Sequence, residues 1–426
     1  MRPASTGRTR GIPAALLTAL LPTRVPASLP ALLLALLPAA LTALVPALLP
    51  AGASARAAWR DDLAVSGYVR ESPFLWSRSA ASKRELTSLL HTRENLRAYL
   101  RSSLTLGVEL KTRICAGDEA RGLIDAADLT GASRAYFDWE RRWIDREHLV
   151  LVSTLDRVWL DVVEGREQLT LGRQRIAWGT GLVWNPIDIF NPASPLDFDN
   201  EEKPGTDAGR LQVYLGPTSK LELAVAPMRH ADDAVAAAQL VLNQAGYDWI
   251  VLGGRRGPYT VAGGGWAGSI HGGGFRGELL YSIPRDGFRL SGLGPVEQAR
   301  LAASIDGDYT FASSLYLHAA VLYNERGSTG DAGGALLLEA YRRSWLTPGR
   351  LSLFAEGARD LSPLVRADLA AILNPYDRSW YLGPTLTWSV AANLDFLASG
   401  FLFGGSAGTE FGDSGTILLA RLKWSF

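Results

Sequence analysis

Two pairs of opposite charges stand two residues apart inside apolar runs: Arg276 and Glu278 in FRGELLYSI, and Arg366 and Asp368 in PLVRADLAAIL. A spacing of two puts both side chains on one face of a strand. A charged row backed by Leu, Tyr and Ile needs water on its own side, so its chemistry is that of a wet, field-bearing surface. Arg300 in EQARLAASID belongs to the same kind of row, and Arg173 and Arg175 repeat the spacing in LGRQRIAWGTGLVWNPIDIFNP. Motifs that would signal catalysis are weak. Gly263, Gly265 and Gly268 satisfy GxGxxG, but they lie in VAGGGWAGSI, a strand-like run with no helix behind it to hold a phosphate. Gly404 to Gly408 satisfies GxSxG, the nucleophile-elbow pattern, yet it falls between two strand-like runs and reads as a turn. Gly179-Thr180-Gly181 lacks the Lys-Ser/Thr of a P-loop. The histidines (His91, His148, His230, His271 and His318) form no HExxH or other close metal pair, and Cys115, the only cysteine, permits no intrachain disulfide. No cofactor, no metal and no enzymatic activity are expected. His318, in LYLHAAVLYN, reads as a pore-lining group rather than a base. A barrel enzyme such as a phospholipase stays open, because such sites are built from residues far apart in sequence.

The charged rows recur on alternating segments. In KLELAVAP, Leu221, Leu223 and Val225 oppose Lys220 and Glu222; in EQARLAASID, Ala299, Leu301, Ala303 and Ile305 oppose Gln298, Arg300, Ser304 and Asp306. Turn-rich pieces such as GPTS, IPRDG and GSTGDAGG separate them. Charges at the centre of the polar face fit a wet lumen better than the outside of a soluble sandwich. In WYLGPTLTWSV, Trp380, Leu382, Leu386 and Trp388 share one face. At ~3.3 Å per residue the two tryptophans are roughly 26 Å apart along the strand. A tilt of ~40° turns that into about 20 Å of height, close to the apolar band of an outer-membrane barrel with its two aromatic girdles. The pattern predicts an all-β transmembrane antiparallel barrel of about 16–18 strands over residues 56–426. Ser79–Phe137 fits least well and reads either as a short helix at Lys83–Leu100 or as long strands with a loop near Ala116–Ser133.

Residues 1–55 contain four arginines and no acid, then an apolar run ending in Ala53-Ser54-Ala55, the pattern of a cleaved secretory signal peptide. Its removal leaves 43 acidic against 39 basic residues, which is no electrostatic footprint for nucleic acid. At the far end, TILLARLKWSF alternates strictly, with Leu418, Ala420, Leu422, Trp424 and Phe426 on one face. It resembles the last strand of bacterial outer-membrane barrels. That resemblance implies an insertion signal in Trp424 and Phe426, read by the barrel-insertion machinery.

In the Arg173 stretch the apolar positions switch parity, from Leu169 and Leu171 to Ile176 and Trp178. A β-bulge at Gly172-Arg173 would do this and would place Arg173 and Arg175 on the lumen face. A long loop follows, about residues 179–207. Its apolar residues need burial, so it either folds into the barrel or packs over the rim. Folded in, it would give Trp184 and Phe190 partners and set Asp188 facing the arginines as a constriction. The acids Asp197, Asp199, Glu201 and Glu202 read as solvated, with Ca²⁺ ligation the alternative. GRQRIAWGTGLVWNPIDIFNP followed by EEKPGTDAGRLQVYLGP, with weaker support from WYLGPTLTWSVAANLDF, resembles porin-like outer-membrane proteins of Gram-negative bacteria. The resemblance implies a barrel with a transport role, and brings neither a substrate nor catalytic residues. The expected function is a channel for small solutes or hydrophobic compounds across the outer membrane. A lipid-handling or exporting barrel, with Trp178, Trp184 and Phe190 as an apolar acceptor surface, and a structural barrel with a plugged lumen are the alternatives. The partners are outer-membrane lipid, the insertion machinery and, as an open alternative, further copies of the chain.

Overall fold

The computed structural model describes residues 62–78, 84–129, 135–191, 203–289, 296–334, 336, 337, 340 and 345–426. The expected signal peptide and the acids Asp197, Asp199, Glu201 and Glu202 lie outside them. The strands are β1 Leu63–Ser77, β2 Arg84–Arg101, β3 Leu104–Gly117, β4 Glu140–Arg146, β5 Leu149–Glu164, β6 Glu167–Gln174 and β7 Thr206–Tyr214. There follow β8 Lys220–Ala226, β9 Val235–Gln244, β10 Tyr247–Arg256, β11 Tyr259–Ile270, β12 Gly273–Pro284 and β13 Arg300–Thr310. The last are β14 Leu315–Asn324, β15 Leu351–Ser362, β16 Val365–Asn374, β17 Ser379–Ala391, β18 Leu394–Gly404 and β19 Thr416–Ser425. Among the described residues the helix α1 spans Ala120–Leu129, and a single 3-10 turn spans Ala231–Asp233. With β4 set aside, each strand pairs with the next around the wall, β3 pairing directly with β5, and β1 pairs antiparallel with β19, which closes an 18-stranded antiparallel barrel. Closure removes the open edges that the first and last strands would otherwise present.

Alternation decides which way each strand turns. On β17, Trp380 and Trp388 point outward with 43% and 45% of their surface exposed, while Tyr381 between them is buried inside. On β19, Leu418, Leu422 and Trp424 face out and Leu419 and Arg421 face in. Pro384 removes one ladder donor from β17. The ladder to β18 accordingly runs through Leu382↔Leu402 and resumes at Thr385↔Ser399. The two ends of the barrel differ in their connections. Those on the side of Leu63 and Phe426 are tight, such as Ala245-Gly246 and His271-Gly272. Both residues of each have positive φ, at 55° and 79° and at 50° and 84°. That is the type I′ hairpin geometry, whose twist matches the strands. The opposite end carries the long connections, including residues 175–205 and 325–350.

The poorly fitting segment resolves into long strands. Arg84–Arg101 is a single strand rather than a helix, and the helix of this region is α1, further along. β4 has a particular place. It pairs with the long-loop half of β5, on the side where β6 pairs with the other half. β6 and β7 are short, and β4 with the segment leading into it completes the wall above them: Ala135 bridges to Met228, and the Phe137 N–H and Trp139 Nε1 donate to Asp207, at 3.1 and 2.7 Å. With that stretch of wall already occupied, the chain leaving Gln174 turns off the sheet.

The bulge expected at Gly172-Arg173 is absent. β6 keeps unbroken register with β5 and with β7 through Gly172 and Arg173. The device is instead the backbone of Gly172, with φ of 111°. A Cβ there would sit 2.3 Å from the Val158 carbonyl oxygen, so only glycine fits.

Candidate functional site in the barrel lumen

The chain beyond β6 folds into the barrel. Ile176, Trp178, Ile187, Ile189 and Phe190 are buried against inward-facing residues of β7 to β12, among them Ala224, Ile250, Leu252, Val261 and Leu280. Trp184 is buried in a second cluster with Leu322 on β14, Ile372 on β16, Tyr381 on β17 and Phe411 from the connection between β18 and β19. Trp178 packs edge-on to Phe190 with ring centroids 4.9 Å apart, and Trp184 edge-on to Phe354 at 6.3 Å. The loop thus rests on two sectors of the inner wall. Burial of large side chains, each contributing about 1.5–3 kcal/mol, fixes it there. Trp178, Trp184 and Phe190 offer no exposed apolar acceptor surface, since all three are buried.

Wall carboxylates meet the loop's polar groups. Trp178 Nε1 donates to Glu222 Oε1 on β8 at 2.7 Å. Glu278 on β12 accepts from the N–H and Oγ1 of Thr180, from Gly181 N–H at 3.0 Å and from Ile187 N–H at 3.2 Å. Ser304 on β13 donates to the Trp184 carbonyl oxygen at 3.3 Å. Glu278 therefore does not line a wet surface beside Arg276. It is 2% exposed and covered by the loop, while Arg276 pairs with Asp306, at 3.2 Å, and with Asp308. Asp188 does not face the arginines either. It is buried, pairs with Lys203 and accepts the Asn191 N–H at 3.2 Å. Burial pushes its carboxyl above the usual range, opposed by Lys203.

Arg173 and Arg175 separate. Arg173 is buried, with Nε on the Asp156 carbonyl oxygen at 2.9 Å and Nη1 3.5 Å from Asp207. Arg175 lies beyond the end of β6 and is exposed. Arg300 is buried between the rings of Tyr259 and Trp345, its guanidinium carbon 5.5 and 4.9 Å from their centroids. Arg366 bonds to Asp368 at 2.9 Å and lies 3.6 Å from Asp360. His318 stands between Asp306 and Glu356, at 3.8 and 3.6 Å.

Sequence reading missed the sector that the loop's apolar clusters leave uncovered; the loop meets it at its edge, where Arg157 Nη2 donates to the Lys203 carbonyl oxygen at 2.8 Å. The inner faces of β1, β2, β3 and β5 carry Arg70, His91, Arg93, Lys111, Arg113 and Arg157. Arg70 Nη2 donates to His91 Nδ1 at 2.7 Å, Arg93 pairs with Glu109 and with Asp156 at 2.6 Å, and Arg157 reaches Glu109 at 3.1 Å. On β19, Arg421 and Lys423 continue the row. The signal was present: Leu89, His91 and Arg93, then Glu109, Lys111 and Arg113, recur with period two. Nearer the long-loop end of the same strands the inner face is apolar (Leu89, Cys115, Val150 and Val152), and Ala120 and Ile124 of α1 pack on it inside the mouth. On the opposing wall, Asp306, Asp308, Glu356, Asp368 and Asp395 occupy the inward positions of β13 to β18.

At the long-loop end, the connection between β18 and β19 is fastened through Glu410. Its carboxylate accepts from Asn374 Nδ2 at 2.8 Å, and its N–H donates to Asp377 at 2.7 Å. Burial, helped by the neighbouring Asp377 and opposed by Asn374, pushes the Glu410 carboxyl up to about 7. The folded form thus holds its proton where the unfolded chain has lost it. Its contribution is full below the ordinary carboxylate range and declines as pH rises to about 7. Hydrogen exchange of the 405–415 amides, corrected for the intrinsic pH dependence, should accordingly show weaker protection at pH 8 than at pH 5. Glu410→Gln should flatten the difference; an unchanged slope in that variant would assign the effect elsewhere.

The barrel is similar to the crystal structures of Acinetobacter baumannii OccAB4 (TM-score 0.56, 6% identity, 86% of this chain and 98% of that one) and OccAB2 (0.55, 9%, 86% and 98%). It is also similar to the outer membrane protein OprD from Pseudomonas aeruginosa (0.54, 9%, 86% and 93%). No family model and no curated protein matches the sequence. At these identities the likeness is one of fold, and the fold is that of outer-membrane barrels such as OprD.

Proposed function

We propose that the chain is an outer-membrane channel for small solutes, with its short turns toward the periplasm and its long loops outside. The carrying observation is the loop after β6, which occupies the inner wall from β7 to β18 and leaves the basic sector of β19, β1, β2, β3 and β5 beside it. The outward belt of Leu, Val, Trp and Tyr supports contact with lipid, and the overall likeness to OprD supports the location. Solutes pass along the basic sector, with the acids of β13 to β18 across from it. A passage walled by fixed positive charge in low-dielectric surroundings favours anions. Purified protein in planar bilayers should give discrete channels whose reversal potential in a KCl gradient lies on the chloride side. Lys111→Ala with Arg113→Ala should move it toward potassium. Absence of channels would overturn the transport reading; a potassium-selective wild type would overturn the assignment of the path.

A further inference from the structure

Glu278 is held in an unusual way for a wall residue of a polar lumen. Among the described residues no Lys or Arg pairs with it, and its donors all come from the loop: Thr180 N–H and Oγ1, Gly181 N–H and Ile187 N–H. Arg276, two residues away on the same face, is engaged by Asp306 and Asp308. The loop's own backbone therefore does the work of a counter-ion, converging successive N–H groups on one carboxylate as in the anion-binding concavities of tight turns. The flanking glycines fit this role. Gly179 has φ of 128°, and a Cβ on Gly181 would lie 2.3 Å from the Trp184 carbonyl oxygen and 3.1 Å from Asp306 Oδ2. The turn can close on Glu278 only if neither carries a side chain. Ser304 takes the next hold, on the Trp184 carbonyl.

Building on the reading above that this loop narrows the passage, we propose that Glu278 is the positioning residue that latches it, so that the width of the passage depends on this one carboxylate. Removing the carboxylate leaves three N–H groups in a buried seat without an acceptor, and such groups are satisfied by leaving for water. The apolar contacts of Trp178 and Trp184 resist a full release, so the loop fluctuates between seated and lifted positions. Glutamine keeps the shape but offers one oxygen where two now accept, and turns an NH₂ toward a donor.

The test uses the full-length barrel in planar bilayers. Glu278→Ala should raise mean conductance roughly twofold and add open-state noise, with Glu278→Gln between it and wild type. Gly181→Ala, which disturbs the same seat from the loop side and leaves the wall intact, should match Glu278→Ala, and it serves if the latter inserts poorly. In a Cys115→Ser background, Val183→Cys should react with a hydrophilic thiol reagent about tenfold faster when Glu278 is Ala, a change in exposure of the seat that altered lumen charge alone does not produce. A barrel with the loop shortened between Thr180 and Asn191 separates the two levels. If shortening leaves conductance unchanged, the loop does not narrow the passage and the transport geometry fails. If shortening raises conductance while Glu278→Ala and Gly181→Ala leave both conductance and labelling at wild-type values, the latch is wrong and the narrowing stands.

Discussion

Shortening the loop between Thr180 and Asn191 to a brief Gly-Ser link should raise single-channel conductance by roughly two- to threefold, the largest change expected from any edit that spares the wall. Eighteen strands about 4.8 Å apart, tilted ~40°, make a cylinder roughly 36 Å across between backbones. Wall side chains cannot fill such a bore, as they do in eight-stranded barrels. The loop is thus the main described obstruction over the sectors from β7 to β18, with α1 a smaller one over the mouth of β2, β3 and β5. The edit has a cost. Ile250, Leu252, Val261 and Leu280 on one side, and Leu322 and Ile372 on the other, lose their cover and face water. The thermal midpoint of the folded barrel should fall accordingly, while the hydrogen-bonded wall keeps it inserted. A shortened barrel with native conductance and a lowered midpoint would make the loop a purely structural core.

Deleting Trp424-Ser425-Phe426 should reduce the amount of protein in the outer membrane by about tenfold or more, the remainder being degraded before insertion. The seam explains why a three-residue change should act so strongly. The N–H and carbonyl of Phe426 both bond to Gly67 at 2.9 Å, and Tyr68↔Ser425 and Val69↔Trp424 follow in register. The Phe426 ring lies over Gly67, where a Cβ would come within 2.7 Å of it, and 5.3 Å from the Trp424 ring. The deletion therefore removes one end of the β1–β19 junction that joins the first strand to the last, along with the aromatic pair that we propose the insertion machinery reads. Membrane fractionation and heat-modifiable migration on gels measure the outcome. Normal levels of heat-modifiable truncated protein would show that closure needs neither.

The barrel was legible in the sequence because its signal has period two and repeats over many segments. A wrong parity on one strand is outvoted by the others. The lumen was less legible, because its contents depend on where strands stop. Arg173 and Arg175 have the spacing of same-face neighbours, yet the strand ends at Gln174, so the rule that related them lapses between the two. Gly172 switches the direction of the chain through a left-handed backbone, a change that adds no residue and so leaves no mark on the register. Glu278 sits at a proper lumen position but faces a loop nearly a hundred residues earlier, and alternation carries no information on such a pairing. The basic row of β2 and β3 was obscured by its own charge density, which left the segment open between a short helix and long strands.

The two apolar clusters under the loop also bear on how the barrel is assembled. Between them, with the Ser304 bond, they draw on every wall strand from β7 to β18. No pair or triplet of neighbouring strands can complete either cluster, because one draws on β7 to β12 and the other on β14 to β18, and the loop is seated on both only when the sheet has curled through about two-thirds of a circle. Curling and core formation are then one event, of high contact order and correspondingly slow. Up to that point one of the two clusters is incomplete, and a sheet arrested half-closed presents the loop residues of that cluster, such as Trp184, to its neighbours as an aggregation hazard. Once the circle is complete, the same residues resist its reopening. The loop thereby gives this barrel an interior cooperativity of the kind a soluble globule obtains from its core.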